Sequence, residues 1–166
     1  MKYYILIYVP LFIGFIFSNL FKKDKWYDDL KKLYYPKPYV YGFIWSILYL
    51  VIGYTYYILL HDKSIKYWII PLLHLTINYF YLPILYSFHD LTINLFLMIL
   101  LVLSSFILLI QFYLYDKSTL AFKLFIPYVL WMLFALYLYV YIYINNIEGG
   151  NKYKDNFLYY LFYKNK

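Results

Sequence analysis

The chain has 166 residues, 66% of them hydrophobic and 14% charged, with a formal net charge of +7 and no Cys. Soluble domains carry about 25% charged residues, and a chain without Cys has no disulfides, thiol catalysis or thiolate metal sites. All the basic residues are Lys. Without Arg, the side chain suited to bidentate contacts with phosphates and bases, the positive charge argues for a membrane surface and against nucleic acid.

Five stretches lack any charged side chain: 3–21, 38–61, 67–89, 91–115 and 124–147. A helix rises about 1.5 Å per residue, so about 20 residues cross a hydrocarbon core of about 30 Å. Lipid offers no partner to backbone N–H and C=O groups, which makes helices the form these stretches take. A soluble helical core would need polar faces on its outer helices, and these stretches have none. The sequence therefore predicts an all-α integral membrane bundle of five transmembrane helices. It is a single domain over 1–166, with spans at about 3–21, 38–61, 67–88, 91–115 and 122–146.

The first span carries Gly14 and Ser18, a pair of small residues one turn apart that lets another backbone approach. It resembles the later spans and lacks a small-x-small cleavage site, so it reads as a retained helix and not a signal peptide. The connection that follows, 21–37, is the only long one. Its six Lys are interleaved with Asp24, Asp28 and Asp29, as in a solvated charge run. Trp26 in this loop and Trp68 before the third span suit interface anchors.

The second span places Gly42 and Gly53 on nearly one face, and Trp45 heads another through Tyr49, Ile52 or Gly53, and Tyr56. On the third span His74 and Asn78 lie one turn apart, with Tyr81 and Leu82 extending the stripe. A polar group in hydrocarbon needs a partner, which here is either a neighbouring helix or a ligand. Asn94 and Gln111 on the fourth span read as structural. On the fifth, Trp131 follows Pro127 and heads a face through Phe134, Ala135 and Leu138. Trp45 and Trp131 both lie one to two turns inside their helices. On inward faces their rings would suit a planar apolar ligand; packing or belt roles fit the same spacing.

An odd number of spans puts the two ends of the chain on opposite sides. The side with the long first loop, the His89 turn and the tail from 148 holds ten Lys, the other side five. The positive-inside rule then places the first loop and the C-terminus in the cytoplasm. Chemistry-bearing constellations are scarce. The three His occur singly, and there is no His-x-x-x-His, Glu-x-x-His or Gly-rich phosphate loop. No metal, di-iron or nucleotide site is expected, and no cofactor. Nor is there the series of intramembrane acids that a proton pump needs.

Trp26-Tyr27, then Pro36-Lys37-Pro38-Tyr39-Val40-Tyr41-Gly42-Phe43-Ile44-Trp45-Ser46-Ile47-Leu48-Tyr49, then Gly53 form a recognisable run. It resembles the first-loop and second-helix signature of the translocator protein family, also called tryptophan-rich sensory proteins. Residues 121–135, with Ala121, Leu124, Pro127, Tyr128, Trp131, Phe134 and Ala135 in register, are similar to the fifth-helix motif of that family. Asn78-Tyr79, with Pro83 beyond, is similar to its third-helix segment. The chain departs from the family at Tyr39, Tyr79 and Tyr81 (Trp in the family), Phe43 (Pro), Ile52 (Met) and Tyr139 (Asn). The first Lys after Tyr143 is Lys152, too distant for the short pattern proposed for cholesterol contact.

The resemblance implies a five-helix bundle that binds porphyrins, and in some members cholesterol and drug-like aromatics, in a pocket beneath the first loop. In some bacterial members light-dependent porphyrin breakdown is attributed to two pocket tryptophans, which match Trp45 and Trp131. Tyr49 and Asn78 match pocket-lining positions, and Phe134 and Tyr41 complete the expected ligand-binding set. The expected function is a membrane receptor or sensor for a porphyrin, with a sterol as the second ligand class. A light-dependent porphyrin-degrading enzyme and an interaction scaffold with a vestigial pocket are the alternatives. The expected partners are that ligand and membrane lipid, with a homodimer left open.

Overall fold

The computed structural model describes residues 5–32, 38–60, 63–116 and 120–147. Residues 3–4 and His61 of the expected spans, Pro36 and Lys37 of the loop signature, and the tail from 148 lie outside the described residues. Among the described residues every regular element is helical. They are α1 (Ile5–Leu20), α2 (Lys25–Asp29), α3 (Pro38–Leu60), a 3-10 turn (Ile65–Trp68) leading into α4 (Ile69–Phe88), α5 (Leu91–Asp116) and α6 (Leu120–Asn146). α3, α4 with its leading turn, α5 and α6 are each long and apolar enough to cross a membrane. α1, with 16 residues, is the shorter apolar helix and measures about 24 Å.

Local chemistry sets several of the ends. Asp24 accepts the Tyr27 backbone N–H at 3.1 Å and so caps α2. Asp90 accepts the N–H groups of Thr92 at 2.7 Å and Ile93 at 2.9 Å, which starts α5. Between α4 and α5 the chain reverses through His89, whose φ of 54° is left-handed and whose N–H returns to the Leu85 carbonyl. Pro71, lacking an N–H, cannot bond the Tyr67 carbonyl four residues back. The Gln111 amide from α5 donates to that carbonyl at 3.1 Å.

The long helices close into a ring: α1 packs on α3, α3 on α6, α6 on α5, α5 on α4 and α4 back on α1. The α1–α3 crossing depends on Gly53, where an added methyl would run into the Ile7 carbonyl. Gly14 likewise leaves room for the Tyr49 ring. Hydroxyls tie the helices across the ring: Tyr79 donates to the Pro10 carbonyl, Thr55 to Ala121 and Tyr139 to Leu91, at 3.1–3.2 Å. The first loop, the α4–α5 turn and the end of α6 share one end of the bundle. There Lys31 and Asn146 exchange two hydrogen bonds at 2.8 and 2.9 Å, and His89 Nε2 meets the Asp24 carboxylate at 2.7 Å.

The distribution of side chains is that of a protein dissolved in lipid. Thr55, His74, Asn78, Asn94 and Ser105 are buried, while Leu103, Ile107, Ile110 and Leu114 of α5 face outward. In water such an apolar exterior would drive aggregation; in lipid it is the solvated face. The chain is an all-α, multi-pass membrane bundle.

Candidate ligand cavity

At the loop end the ring of helices does not fill its own centre, and a cavity of about 830 Å³ remains. Small-molecule pockets run from about 300 to 1,000 Å³. The space exists because small residues face it: Gly14 on α1, Gly42 and Ser46 on α3, and Ala135 on α6. A methyl added at Gly42 would meet no atom within 4 Å. The larger residues form flat walls. Tyr41 meets Trp131 edge-on at 6.0 Å between ring centres, Trp45 lies 5.4 Å from Tyr49, and Tyr49 lies 5.7 Å from Tyr79.

Five of the six expected ligand-binding residues, Tyr41, Trp45, Tyr49, Asn78 and Trp131, line this one cavity. Phe134 does not line it. Its ring rests 5.5 Å from that of Trp131 and is 40% exposed on the outer side. Helical geometry gives the reason: from Trp131 the inward line continues through Ala135 and Leu138, and a residue three positions on from Trp131 falls to one side of it. The Trp131 indole N–H is buried and has no acceptor among the described residues.

The floor of the cavity is a hydrogen-bonded chain crossing four helices. Tyr49 Oη donates to Asn78 Oδ1 at 2.7 Å, and Asn78 Nδ2 donates to Tyr128 Oη at 3.3 Å. Tyr128 Oη lies 2.6 Å from His74 Nε2, and His74 Nδ1 lies 2.7 Å from Ser104 Oγ. Ser104 spends its own proton on the Leu101 carbonyl, so it accepts from His74 Nδ1–H. In the neutral tautomer that matches this donation, His74 Nε2 accepts from Tyr128. His74 is therefore interhelical and away from the cavity lining. Asn78 does both: it faces the cavity and holds α3, α4 and α6 together.

The model of the TspO/MBR family matches residues 6–144. The chain belongs to the TspO/MBR family. No curated protein matches it. Family membership supports a membrane sensor or receptor-type role for this TspO/MBR protein.

Sequence reasoning passed over part of this site. Tyr128, the branch point of the floor, is fully buried; the sequence showed it only as a position of the fifth-helix motif beside Pro127, with no role attached. Lys23, Asp28 and Lys32, read as a solvated charge run, line the cavity at its loop end. Lys23 pairs with Asp28 at 2.7 Å. Lys32 Nζ bonds the Tyr27 and Asp28 carbonyls and sits 4.1 Å from the centre of the Tyr27 ring. Trp26 stacks on His89 with ring centres 4.6 Å apart, so the loop is pinned over the opening from two sides. The Tyr27 N–H and, less strongly, His89 hold the Asp24 carboxyl below the usual carboxylate value. Partial burial lowers the Lys32 ammonium below the usual lysine value.

Proposed function

We propose that this chain is a membrane receptor for a planar, apolar ligand of the tetrapyrrole class, held between Trp45 and Trp131 beneath the first loop. The observation that supports this reading is the convergence of both indoles, 86 positions apart in sequence, on one cavity together with Tyr41 and Tyr49. Flat rings recognise flat ligands through contact area and offset stacking, at about 0.5–1.5 kcal/mol per aromatic pair beyond area burial. The unpartnered Trp131 N–H offers a donor to a polar atom on the ligand. In the proposed topology the loop end faces the cytoplasm, in line with the Lys excess on that side.

Titration of protoporphyrin IX into the protein in nanodiscs, followed by porphyrin absorbance, tests the reading. Trp45→Phe and Trp131→Phe are each expected to weaken binding about three- to tenfold, and Trp68→Phe to leave it unchanged. Unchanged affinity in the first two variants, or no binding by the parent protein, would remove the reading. Illumination of the same complexes separates a receptor from a porphyrin-degrading enzyme by loss of the porphyrin absorbance. For topology, the chain has no Cys, so single Cys at Asp29 and Ser64 can be labelled directly. Asp29→Cys should react from the cytoplasmic side and Ser64→Cys from the opposite one; the reverse pattern would invert the assignment.

A further inference from the structure

We infer that the cavity takes an amphipathic ligand whose planar apolar body lies against the aromatic walls and whose carboxylate reaches the loop end, where Lys32 and Lys23 receive it. This inference rests on the receptor reading above and narrows it to an acidic ligand, which excludes a neutral sterol.

The argument begins with the polarity of the cavity along its length. Asn78, in the floor, lies ten residues before the end of α4 at Phe88, about 15 Å from the loop end. Between floor and mouth the lining is mostly aromatic and aliphatic; among the described residues the charged ones that line the cavity are Lys23, Asp28 and Lys32, all at the mouth. Two ammoniums therefore face one carboxylate there. The other acids of the loop make no ion pair with these lysines among the described residues, and Asp29 acts on Lys32 only through its field. Asp24 is engaged with His89 at 2.7 Å, and Asp29 does not line the cavity.

Lys32 is the better placed of the two lysines. Its ammonium has carbonyl oxygens and a ring face as neighbours, and among the described residues no carboxylate within ion-pair distance. It is also the more buried, and the desolvation that lowers its pKa is offset when a carboxylate arrives as a partner. An ammonium held by carbonyls at the rim of an apolar cavity is a point charge waiting for an anion, and the loop that carries it is fixed by the Lys31–Asn146 and Asp24–His89 contacts. A ligand carboxylate would compete with Asp28 for Lys23, and at Lys32 it would meet only the longer-range fields of Asp28 and Asp29, with no direct ion pair to displace among the described residues.

The test compares protoporphyrin IX with its dimethyl ester, the same ring without the charges, in nanodiscs of neutral phosphatidylcholine so that lipid headgroups do not compete. The wild type is expected to bind the free acid about fivefold or more tightly than the ester, the scale of one partly exposed ion pair. Lys32→Met should bring the acid down to the affinity of the ester while leaving the ester unchanged, and Lys32→Arg should restore the preference. Asp28→Asn, which removes the competing carboxylate, should strengthen binding of the acid alone. Equal affinity of acid and ester in the wild type, or equal weakening of both by Lys32→Met, would overturn the inference and leave the planar-ligand reading standing. Binding of neither compound would instead overturn the planar-ligand reading, and this inference with it.

Discussion

The two halves of this bundle are made of the same materials and use them in opposite ways. Away from the loop, aromatic side chains interlock: Phe112 meets Phe125 at 5.0 Å, Phe125 meets Tyr128 at 5.1 Å and Tyr56 meets Phe112 at 5.9 Å between ring centres. Ile52, Leu60, Leu108, Phe112 and Phe125 are completely buried there. Toward the loop, rings of the same kind stand apart around a cavity of about 830 Å³. The boundary between the halves is the Tyr49–Asn78–Tyr128–His74 chain. Hydrophobicity therefore does not decide where the bundle is hollow. The decisive features are the small residues on the inward faces, Gly14, Gly42, Ser46 and Ala135, and a polar floor that keeps the aromatic walls from collapsing inward.

That contrast can be broken most severely in the closed half. Phe125→Ala should cost about 3–5 kcal/mol, since a fully packed site relaxes little around the void. Tyr41→Ala, at the cavity wall, should lower stability far less and weaken porphyrin binding more. Denaturant unfolding in detergent alongside the porphyrin titration reads both quantities, and equal stability losses would mean that the two halves are packed alike.

The glycines sharpen the same contrast at smaller scale. Gly53→Ala forces a methyl into the Ile7 carbonyl and should destabilise by about 1–3 kcal/mol, the usual range for overpacking. Gly42→Ala projects into open space and should leave the melting temperature unchanged. A comparable loss at both positions would show that the cavity at Gly42 closes in solution.

At the boundary, Tyr128→Phe removes one hydroxyl from a chain whose bonds contribute about 0.6 kcal/mol each on average in membrane bundles. Asn78→Leu removes two bonds and a group facing the cavity, so it should lower stability modestly and weaken porphyrin binding as well. A stability loss with unchanged affinity would make Asn78 structural alone.

The smallest effect concerns the loop. Asp24 has a depressed folded pKa, chiefly from the Tyr27 N–H bond. Its contribution is therefore present above the unfolded carboxylate value of about 3.9 and is lost as the pH falls through the lower folded value. Hydrogen exchange in 21–32, corrected for its intrinsic pH dependence, should lose protection in that acidic window. Asp24→Asn should exchange faster at neutral pH and abolish the acid transition. Unaltered protection in both experiments would mean that the clamp does not hold the loop.

The fold was legible because lipid imposes one rule that a sequence shows openly: long uncharged stretches become helices, and their few polar residues turn inward. His74, Asn78 and Asn94 followed it. The cavity was legible only through the resemblance, since the spacing of Trp45 and Trp131 suited packing as well as binding. Phe134 shows the limit of reading one helical face: three residues from Trp131, its ring leans on the indole from outside. Lys23 and Lys32 were hidden for a different reason. Interleaved Lys and Asp describe a solvated loop whether or not that loop lies over an opening, and it is the contacts of Lys31 with Asn146, 115 positions away, and of Asp24 with His89 that set it there.

The chain has four Trp, so an ¹H–¹⁵N spectrum of the protein in nanodiscs contains four indole N–H resonances, assignable by single Trp→Phe variants. Trp45 and Trp131 line the cavity, whereas the Trp68 indole donates to the Leu60 carbonyl at 3.0 Å in the other half. On addition of protoporphyrin IX the Trp45 and Trp131 resonances should shift in a saturable way, Trp131 most because its N–H gains an acceptor, while Trp68 stays in place. A shift of Trp68 with Trp45 and Trp131 unmoved would contradict the assignment of the loop-side cavity as the ligand site.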